Sequence, residues 1–414
     1  MTLEDIYVIG VGMTPFGRHL DRSIKDLAEE AVTAALADAG IEKTELQGAF
    51  FGNTSQGYME GQHMIRGQVA LRAMGIGHIP VVNVENACAS GSSAFVLACN
   101  HIRSGAGDVA LAIGSEKMYA TDKDKMFGVF DSAWDVSRAD EIREALMKLG
   151  RDVVVPEGST SPKPYSVFMD VYAAFARSHM RTFGSTQRQL AAVAAKNHEH
   201  SVHNPLSQYR NAYSIEEVLA APPITYPLTL PMCSPVSDGA AAAIVCTGSA
   251  LKRLGISKKR AIKVLASLVQ SGSERLEDDF ANHCTALAAR KAYELAGVGP
   301  EDVSVAEVHD ATAMGEIIQT ENLGFCDFGM GGVIAERGET RIGGRIPVNP
   351  SGGLESKGHP VGATGLGQIF ELVSQLRGEA GTRQVEGARI ALAENGGGLE
   401  GIEEAVACVT ILGR

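Results

Sequence analysis

Residues 81–114, VVNVENACASGSSAFVLACNHIRSGAGDVALAIG, contain two short apolar runs, VVNV and VALAIG, on either side of a turn and a helix. The turn is ENACASG, and the apolar spacing after it indicates a helix that continues through Ile102. Strands that alternate with helices are the units of an open α/β sheet. This stretch therefore predicts an α/β fold with a parallel sheet that is covered by helices on both faces.

The same alternation extends toward the amino end of the chain. IYVIGVG reads as a strand, SIKDLAEEAVTAALADAG as a helix and GAFFGN as the next strand. Ser23 and Asp26 have the spacing of a capping box at the start of this helix, and Gly40 stands where a helix stop is expected.

The order of elements recurs after Ala261. AIKVLASLV and VSVAEV read as strands around the helix CTALAARKAYELAG, and the helix ATAMGEIIQTENLG follows them. GHPVGATGLGQIFELVSQLRG then opens with glycines and becomes helical, ARIALAENGGG runs from a strand into a glycine turn, and EAVACVTIL closes the sheet. We interpret this as a duplication of topology. It predicts an amino-terminal domain at 1–260 and a carboxy-terminal domain at 261–414.

A long insert separates the two repeats, at about 116–235. Its polar, proline-containing stretches alternate with helices such as STQRQLAAVAAKNHEH, and its length far exceeds an ordinary connection. Because loops often carry function, we expect a lid that shapes a substrate tunnel. A subdomain without a functional role is the alternative.

Composition limits the class of protein and its partners. The 414 residues carry a formal net charge of −12, which gives no support to a nucleic-acid or anionic-membrane partner, and an anionic substrate would need a local basic patch. We expect no membrane span, and the acidic amino end MTLEDIYVIG is unlike a signal peptide, so we expect a cytoplasmic location. The seven cysteines are an odd number without a C-x-x-C pair, which fits neither a disulfide framework nor a zinc site.

Cys88 is the first candidate for chemistry. It follows a strand and opens a helix with Ala89, Ser90 and Gly91, where the backbone can approach a ligand closely. The positive end of the helix dipole would lower the pKa of the thiol, and free backbone amides would offer an oxyanion site. A buried packing role is the alternative, as for most free cysteines.

Two histidines stand at comparable turns. His359 lies in the loop KGHPVGATG, and His309 ends the strand of AEVHDATA. Ligands of open α/β sheets bind at the carboxyl edge of the strands, so both side chains can reach one cleft with Cys88. A thiol with two imidazoles forms a nucleophile and base constellation. No metal site is expected, because nothing has ligand spacing.

The motif ENGGG supplies further candidates. Gly396, Gly397 and Gly398 form either a tight turn or a backbone amide that completes the oxyanion site. Glu394 is either a general acid/base with a raised pKa or a structural residue at the end of the strand.

At these residues the sequence resembles the thiolase superfamily, most of all the sterol-carrier-protein-type thiolases. The nucleophile motif N-x-C-x-S-G is residues 86–91, G-H-P-x-G-A is residues 358–363, and the H-D motif is His309 and Asp310. CSPVSDGAAAAIV matches the family's glycine-alanine segment, and residues 172–205 look like its loop domain. The resemblance covers nearly the whole chain.

The resemblance implies two similar βαβαβαββ domains in five layers, α-β-α-β-α, assembled as a homodimer or homotetramer. Cys88 would carry the acyl group, His359 would take its proton, and the amides of Cys88 and Gly396 would hold the thioester oxygen. His309 with a water molecule would stabilise the enolate of the second acyl-CoA. Coenzyme A and its acyl thioesters would be substrates, and no cofactor would be bound permanently.

One departure from the family pattern concerns the second thiolase cysteine, which handles the proton on the enolate carbon. The two places from which thiolases supply it are Glu394 and Ala311 here, and a serine that touches pantetheine in some thiolases is Ala289. We expect Glu394 to carry the proton, with Cys326 or a water molecule as alternatives.

Three functions remain open at this stage. The first is a β-ketothiolase-like acyltransferase that acts on an aromatic or branched 3-oxoacyl-CoA. The second is a carbon–carbon lyase of retro-aldol type, in which Cys88 would be dispensable. The third is a subunit that depends on a small OB-fold, zinc-ribbon partner, as relatives of this branch often do.

Overall fold

The computed structural model describes residues 4–414. The strands are β1 Ile6–Met13, β2 Ala49–Gly52, β3 Val81–Val84, β4 Val109–Glu116, β5 Pro223–Thr225, β6 Leu228–Thr229, β7 Gly239–Thr247, β8 Ile262–Ser271, β9 Val305–Glu307, β10 Ile390–Gly397 and β11 Val406–Gly413. The helices are α1 Ile24–Ala39, α2 Gln56–Glu60, α3 Arg66–Ala73, α4 Ser90–Arg103, α5 Lys123–Gly128, α6 Ala139–Leu149, α7 Val167–Phe183, α8 Gln187–Ser201, α9 Ile215–Ala220, α10 Gly248–Arg253, α11 Cys284–Ala296, α12 Ala313–Asn322, α13 Gly331–Glu336, α14 Gly353–Lys357 and α15 Thr364–Arg377.

The eight strands expected from the sequence, together with β7 in the glycine-alanine segment, form one mixed sheet of nine strands, in the order β3-β2-β4-β7-β1-β8-β11-β10-β9. The sheet has two halves that meet where β1 pairs with β8. Reading outward from that junction, the first half runs β1-β7-β4-β2-β3 and the second β8-β11-β10-β9, after which Ala306 pairs with Val348 in a parallel bridge. The two halves therefore share one topology, as the repeated order of elements predicts.

The prediction of a parallel sheet is wrong for the strands near the junction. β2 is parallel to β3 and β4, and β9 is parallel to β10, but β7 and β11 are antiparallel to both of their neighbours. A parallel pair needs a crossover of a dozen or more residues. Residues 398–405 are too few for one, so β11 returns beside β10 as a hairpin.

Helices lie between and outside the two half-sheets. Apolar residues of α4 and α15, such as Phe95 and Leu366, are buried in one core with Ala112 of the first half and Val264 of the second. α1 and α3 cover the other face of the first half, and α11 covers the other face of the second. The result is the expected order of layers, α-β-α-β-α.

The two central helices pack closely, because small residues meet where they touch. A Cβ on Gly365 would lie 1.9 Å from Oγ of Ser92, so no larger residue fits there. This contact brings the start of α4, next to Cys88, against the start of α15, next to His359. α4 and α15 hold equivalent places in the two halves, since α4 precedes β4 and α15 precedes β10.

The insert contains α5 to α9 and the small β5-β6 ribbon. α7 and α8 pack on α12 through a buried apolar cluster that includes Tyr172, Leu190, Met314 and Ile317. The predicted helix STQRQLAAVAAKNHEH is α8, which opens with a capping box of Thr186 and Gln189. The insert therefore rests on the second half of the molecule, and the domain boundary near 260 stays a proposal.

Local signals of the sequence match the structure in α1. Ser23 and Asp26 form the predicted capping box, and Gly40 ends the helix with a left-handed φ of 67°. Among the described residues, no helix has both the length and the apolar character needed to cross a membrane.

Candidate active site

Cys88 lies in a sharp turn between β3 and α4. Ala87 adopts a left-handed φ of 46°, and the backbone N–H of Asn86 donates to Oγ of Ser90 over 2.9 Å. A Cβ on Gly397 would lie 2.3 Å from the carbonyl oxygen of Asn86, so the glycine lets the end of β10 reach this turn. The motifs of the two repeats are thereby joined at Cys88.

His359 is in contact with Cys88. Its Nε2 lies 3.4 Å from Sγ of Cys88, and its Nδ1 lies 2.6 Å from Oγ1 of Thr364. Thr364 uses its own hydroxyl proton toward the carbonyl of Pro360, so it accepts a hydrogen bond from the imidazole. The proton of neutral His359 therefore resides on Nδ1, and Nε2 faces the thiol as an acceptor.

Buried polar groups hold the loop that carries His359. The backbone N–H of His359 donates to Oγ of Ser237 over 2.9 Å, and that of Gly362 donates to Oε2 of Glu116 over 2.9 Å. Glu116 ends β4 and also accepts from Oγ of Ser55 over 2.6 Å. These bonds hold the loop of His359, which belongs to the second half, against the first half of the sheet that carries Cys88.

His309 completes the group. Its ring lies 5.3 Å from that of His359, and ligand atoms of Cys88, His309 and His359 all lie within 4.8 Å of one another. Neither ring nitrogen of His309 has a hydrogen-bond partner among the described residues, although the side chain is buried. Such orphaned polar atoms need a ligand or water. The same spacing would admit a metal ion, and the expected absence of metal stays a prediction.

Burial keeps all three groups neutral. It raises the pKa of the Cys88 thiol to about 12, with a further contribution from Glu116, against the opposing effect of the backbone amides of Gly398 and Cys88. It lowers the pKa of His359 well below 6.5, assisted by His309, and lowers the pKa of His309 to about 4. The expectation of a thiolate near neutrality is wrong, because desolvation outweighs the start of the helix.

The three groups line a cavity of about 620 Å³. The insert supplies most of its wall, in agreement with the expected lid, and many of these residues are aromatic or aliphatic, such as Phe127, Phe130, Phe168, Met169 and Ile224. Arg18, Lys123 and Lys163 also line it, with Glu355 as the one acidic residue among the described lining. An acidic protein therefore carries a local excess of positive charge at this cavity.

Glu394 lies behind this wall. Its Oε2 accepts from the backbone N–H of His309 over 2.9 Å, and its Oε1 has no partner among the residues that the structure describes. Burial and the neighbouring Glu404 raise the pKa of Glu394 well above 4.5. Glu394 does not line the cavity, and its contact with the site is this hydrogen bond to the backbone of His309.

The glycines of ENGGG differ in whether they reach the cavity. Gly396 pairs with Ala407 inside the β10-β11 ladder and does not line the cavity. Gly398 does line it, and its backbone N–H is one of the groups that lower the pKa of Cys88 against the effect of burial. The role of Gly396 stays a prediction, and Gly398 is the glycine that the structure places beside the thiol.

Sequence reasoning missed two residues of the site. Tyr172 of α7 lines the cavity, and burial raises its pKa well above 10, with further contributions from Glu404 and Cys88. Its spacing on an apolar helix face is typical of core packing, so nothing in the sequence separates it. Glu355 stands in the glycine-rich stretch before His359, and a charged residue there was the available signal.

Family models match both halves of the chain. The model of the thiolase N-terminal domain matches residues 6–213, and that of the thiolase C-terminal domain-like family matches residues 266–414. The acetyl-CoA acetyltransferase of Methanothermobacter thermautotrophicus is 40% identical over 402 residues, which are 96% of this chain and 98% of that protein.

Two further relatives align over nearly the whole chain. Sterol carrier protein 2 of Homo sapiens is 38% identical over 95% of this chain and 70% of its own length. The benzoylsuccinyl-CoA thiolase subunit BbsB of Thauera aromatica is 35% identical over 96% of both chains.

Solved structures show the same fold. A chain of the Ltp2-ChsH2(DUF35) aldolase has a TM-score of 0.76 at 22% identity, over 100% of this chain and 98% of its own. The human mitochondrial 3-ketoacyl-CoA thiolase in complex with CoA has a TM-score of 0.70 at 18% identity, over 100% and 98%.

Proposed function

Since the chain belongs to the thiolase family, we propose that it is a coenzyme A-dependent acyltransferase that carries an acyl group on Cys88 and makes or breaks a carbon–carbon bond of a 3-oxoacyl-CoA. The observation that carries this proposal is the contact of 3.4 Å between Sγ of Cys88 and Nε2 of His359. In that contact a thiol proton meets a free acceptor, as a nucleophile and its base require.

The proposed cleavage has two stages. Nε2 of His359 takes the thiol proton while Sγ of Cys88 attacks the 3-oxo carbon, and the bond between carbons 2 and 3 then breaks. The acyl group stays on Cys88, and the enolate of the departing acyl-CoA, stabilised by His309, takes a proton on carbon 2 from the carboxyl of Glu394 through a water molecule and leaves as acyl-CoA. Coenzyme A thiol next gives its proton to the Glu394 carboxylate through a water molecule and attacks the acyl-Cys88 thioester. Protonated His359 returns its proton to the departing Cys88 sulfur, so a new acyl-CoA forms and the thiol, the imidazole and the carboxyl are all restored. Synthesis is the reverse sequence.

Charge at the cavity supports a coenzyme A ester as substrate. Arg18 and Lys123 both lie over the Tyr119 ring, at 4.7 and 4.9 Å from its centre, and Lys163 lines the same cavity. Phosphates of an anionic ligand are attracted to such a cluster. This is the local basic patch that the net charge of −12 made necessary. The aromatic wall supports an aromatic or branched acyl group, and no permanently bound cofactor is part of the proposal.

We retain Glu394 as the acid/base for the enolate carbon. Burial and Glu404 raise the pKa of its carboxyl well above 4.5, which favours the neutral form, and Oε1 has no partner among the described residues. Two neighbouring carboxyls with separated pKa values are typical of acid/base sites. Because Glu394 lies behind His309, the proton would pass through a water molecule. Tyr172, which lines the cavity, is the alternative donor.

A homodimer or homotetramer is part of the proposal. β3 is an edge strand with exposed Val82, and Met64 and Ile65 nearby in the chain are exposed as well. An unpaired apolar edge favours association with another chain.

A small OB-fold, zinc-ribbon partner and a cytoplasmic location stay proposals, the former supported by the likeness to the Ltp2-ChsH2(DUF35) aldolase chain. Retro-aldol chemistry is disfavoured, because it would leave the contact between Cys88 and His359 without a role.

Intact-mass analysis after incubation with acetoacetyl-CoA tests the proposal. We expect an acetyl adduct on the wild-type chain and on Cys326→Ala, since Cys326 lies outside the cavity lining, and none on Cys88→Ala. An adduct that persists on Cys88→Ala would refute Cys88 as the acyl carrier.

A further inference from the structure

Glu355 has no role in the chemistry above, yet it lines the same cavity as Cys88. It lies in α14, four residues before His359, and its side chain is fully buried. Oε2 accepts from Nδ2 of Asn197 over 3.2 Å, whereas Oε1 has no hydrogen-bond partner among the described residues. A buried carboxyl oxygen without a partner is costly, which points to a ligand that supplies one.

Three buried carboxyls crowd around one amide. Nδ2 of Asn197 lies 3.1 Å from Asp310, 2.9 Å from Glu316 and 3.2 Å from Glu355. Among the residues that the structure describes, the one cation in contact with this cluster is Lys196, which contacts Glu316, while Lys357 is paired with Glu307 at 3.0 Å. Three carboxylates cannot all stay ionised beside a single ammonium group in a buried site. At least one of them holds a proton.

The hydrogen bonds indicate which carboxyl is neutral. Glu316 contacts Lys196 and accepts from Asn197 and, over 2.8 Å, from Nδ2 of Asn349. Asp310 accepts from Asn197 and from the backbone N–H of Leu354 over 2.8 Å. Glu355 has Asn197 alone. Burial and carboxylate neighbours raise the pKa of both Asp310 and Glu355, but the carboxyl with the fewest donors gains least from being charged.

We propose that Glu355 is a neutral carboxylic acid whose Oε1–H donates a hydrogen bond to an oxygen on the acyl part of the substrate. The enzyme would then select 3-oxoacyl-CoAs that carry a second oxygen acceptor, a carbonyl or a carboxylate, beyond the 3-oxo group. This inference rests on the proposed function and names the substrate class within it. His198, Tyr209 and Tyr213 line the cavity as well and add further polar groups to its wall.

The expected preference for an oxygenated substrate follows from the cost of a buried hydrogen-bond donor without a partner. A site with a buried donor binds an analogue without the acceptor poorly, because the donor is then left without a partner. We expect the oxygenated substrate to be preferred by about 10- to 100-fold in kcat/KM.

The experiment compares three six-carbon probes in CoA-dependent cleavage: 3-oxohexanoyl-CoA, 3,5-dioxohexanoyl-CoA and 3-oxoadipyl-CoA. The readout is the ratio of kcat/KM for each oxygenated probe to that for 3-oxohexanoyl-CoA. Glu355→Gln keeps a neutral donor of the same shape and should keep at least a third of the wild-type ratio. Glu355→Leu should bring the ratio close to one.

The outcomes separate this inference from the proposed function. If the wild-type enzyme forms no adduct and cleaves no probe, the proposed function fails. If it cleaves all three and the ratio is the same in Glu355→Leu, the inference alone is overturned. If Glu355→Leu does not fold, infrared spectra of the wild type and Glu355→Gln test whether Glu355 is protonated. A protonated carboxyl band that is present in the wild type and absent in Glu355→Gln supports the neutral acid. Identical carboxyl bands in the two proteins overturn it.

Discussion

Replacement of His359 by asparagine tests how Cys88 becomes nucleophilic. With a thiol pKa of about 12, the five pH units down to pH 7 leave about one thiol in 10⁵ ionised at rest. Attack by the wild-type enzyme therefore depends on transfer of the thiol proton to Nε2 of His359 over the contact of 3.4 Å. A positioned base contributes about 10²–10⁴-fold in rate, and we expect His359→Asn to lose that factor in acylation at pH 7.

The pH dependence distinguishes a lost base from a damaged structure. Without His359 only the preformed thiolate reacts, so the acylation rate of the variant should rise nearly tenfold per pH unit between pH 7 and 9. The wild-type rate should be almost constant, because burial keeps the pKa of His359 well below 6.5 and its imidazole neutral across this range. Rapid quenching followed by intact-mass analysis measures acylation in a single turnover.

His198→Asn is the matched control. His198 also lines the cavity, with a pKa that burial lowers, but it contacts the carbonyl of Pro231 and Oγ of Ser356. We expect its acylation rate to lie within about tenfold of the wild type and to show no dependence on pH, since no base is lost. Acylation by His359→Asn at the control's rate and without a rise toward pH 9 would refute the role of His359.

The His309→Asn variant should form the Cys88 adduct at a rate within about tenfold of the wild type. Its rate of carbon–carbon cleavage should fall about 10²–10³-fold, as expected when one oxyanion donor is removed. Equal losses in both steps would contradict this division of roles. Glu394→Gln should still form the Cys88 adduct and lose exchange of the acetyl-CoA α-protons with deuterated water, and unchanged exchange would assign Glu394 to structure. Burial lowers the pKa of His309 to about 4 and that of His359 well below 6.5, so any fall in kcat/KM on acidification should be centred below pH 6.5. A decline centred near pH 6.5 would show that these histidines titrate as if exposed to solvent.

Local signals predicted the fold well wherever they stand in a few consecutive residues. The capping box of Ser23 and Asp26, the left-handed Gly40 and the apolar runs of β2 and β4 depend on neighbours in sequence, and the structure confirms them. Strand direction depends on what lies between two strands and on which strands become neighbours. Alternation of strands and helices therefore did not reveal that β7 and β11 run antiparallel to both of their neighbours.

The candidate site divides in the same way. Cys88, His309 and His359 could be found because each stands at a turn that follows a strand or opens a helix, and such turns meet at one edge of the sheet. Tyr172 could not, since its position depends on how α7 packs on the rest of the chain. For Glu355 the available signal was its charge in a glycine-rich stretch, which does not show that the packing of α14 brings it to the cavity. The pKa of Cys88 was misjudged for a related reason: the desolvation that raises it comes from surroundings that the local sequence around Cys88 does not show.

Neutrality of the resting site has a consequence for selectivity. Burying an ion pair costs several kcal/mol even after relaxation, and a resting thiolate with an imidazolium would carry that cost in every unoccupied molecule. Here burial favours the neutral forms of Cys88, His359 and His309. The nearby carboxyl of Glu404 is ionised, because His283 lowers its pKa to about 2 against the opposing effect of burial. Charge then develops at the reacting atoms only when an acyl thioester is present to receive it, where fixed backbone amides stabilise it most. Because the free thiol is a poor nucleophile, selection of the acyl group rests on the walls of the cavity. Among the described residues that line it, Glu355 is the one acidic side chain able to discriminate between acyl groups by hydrogen bonding.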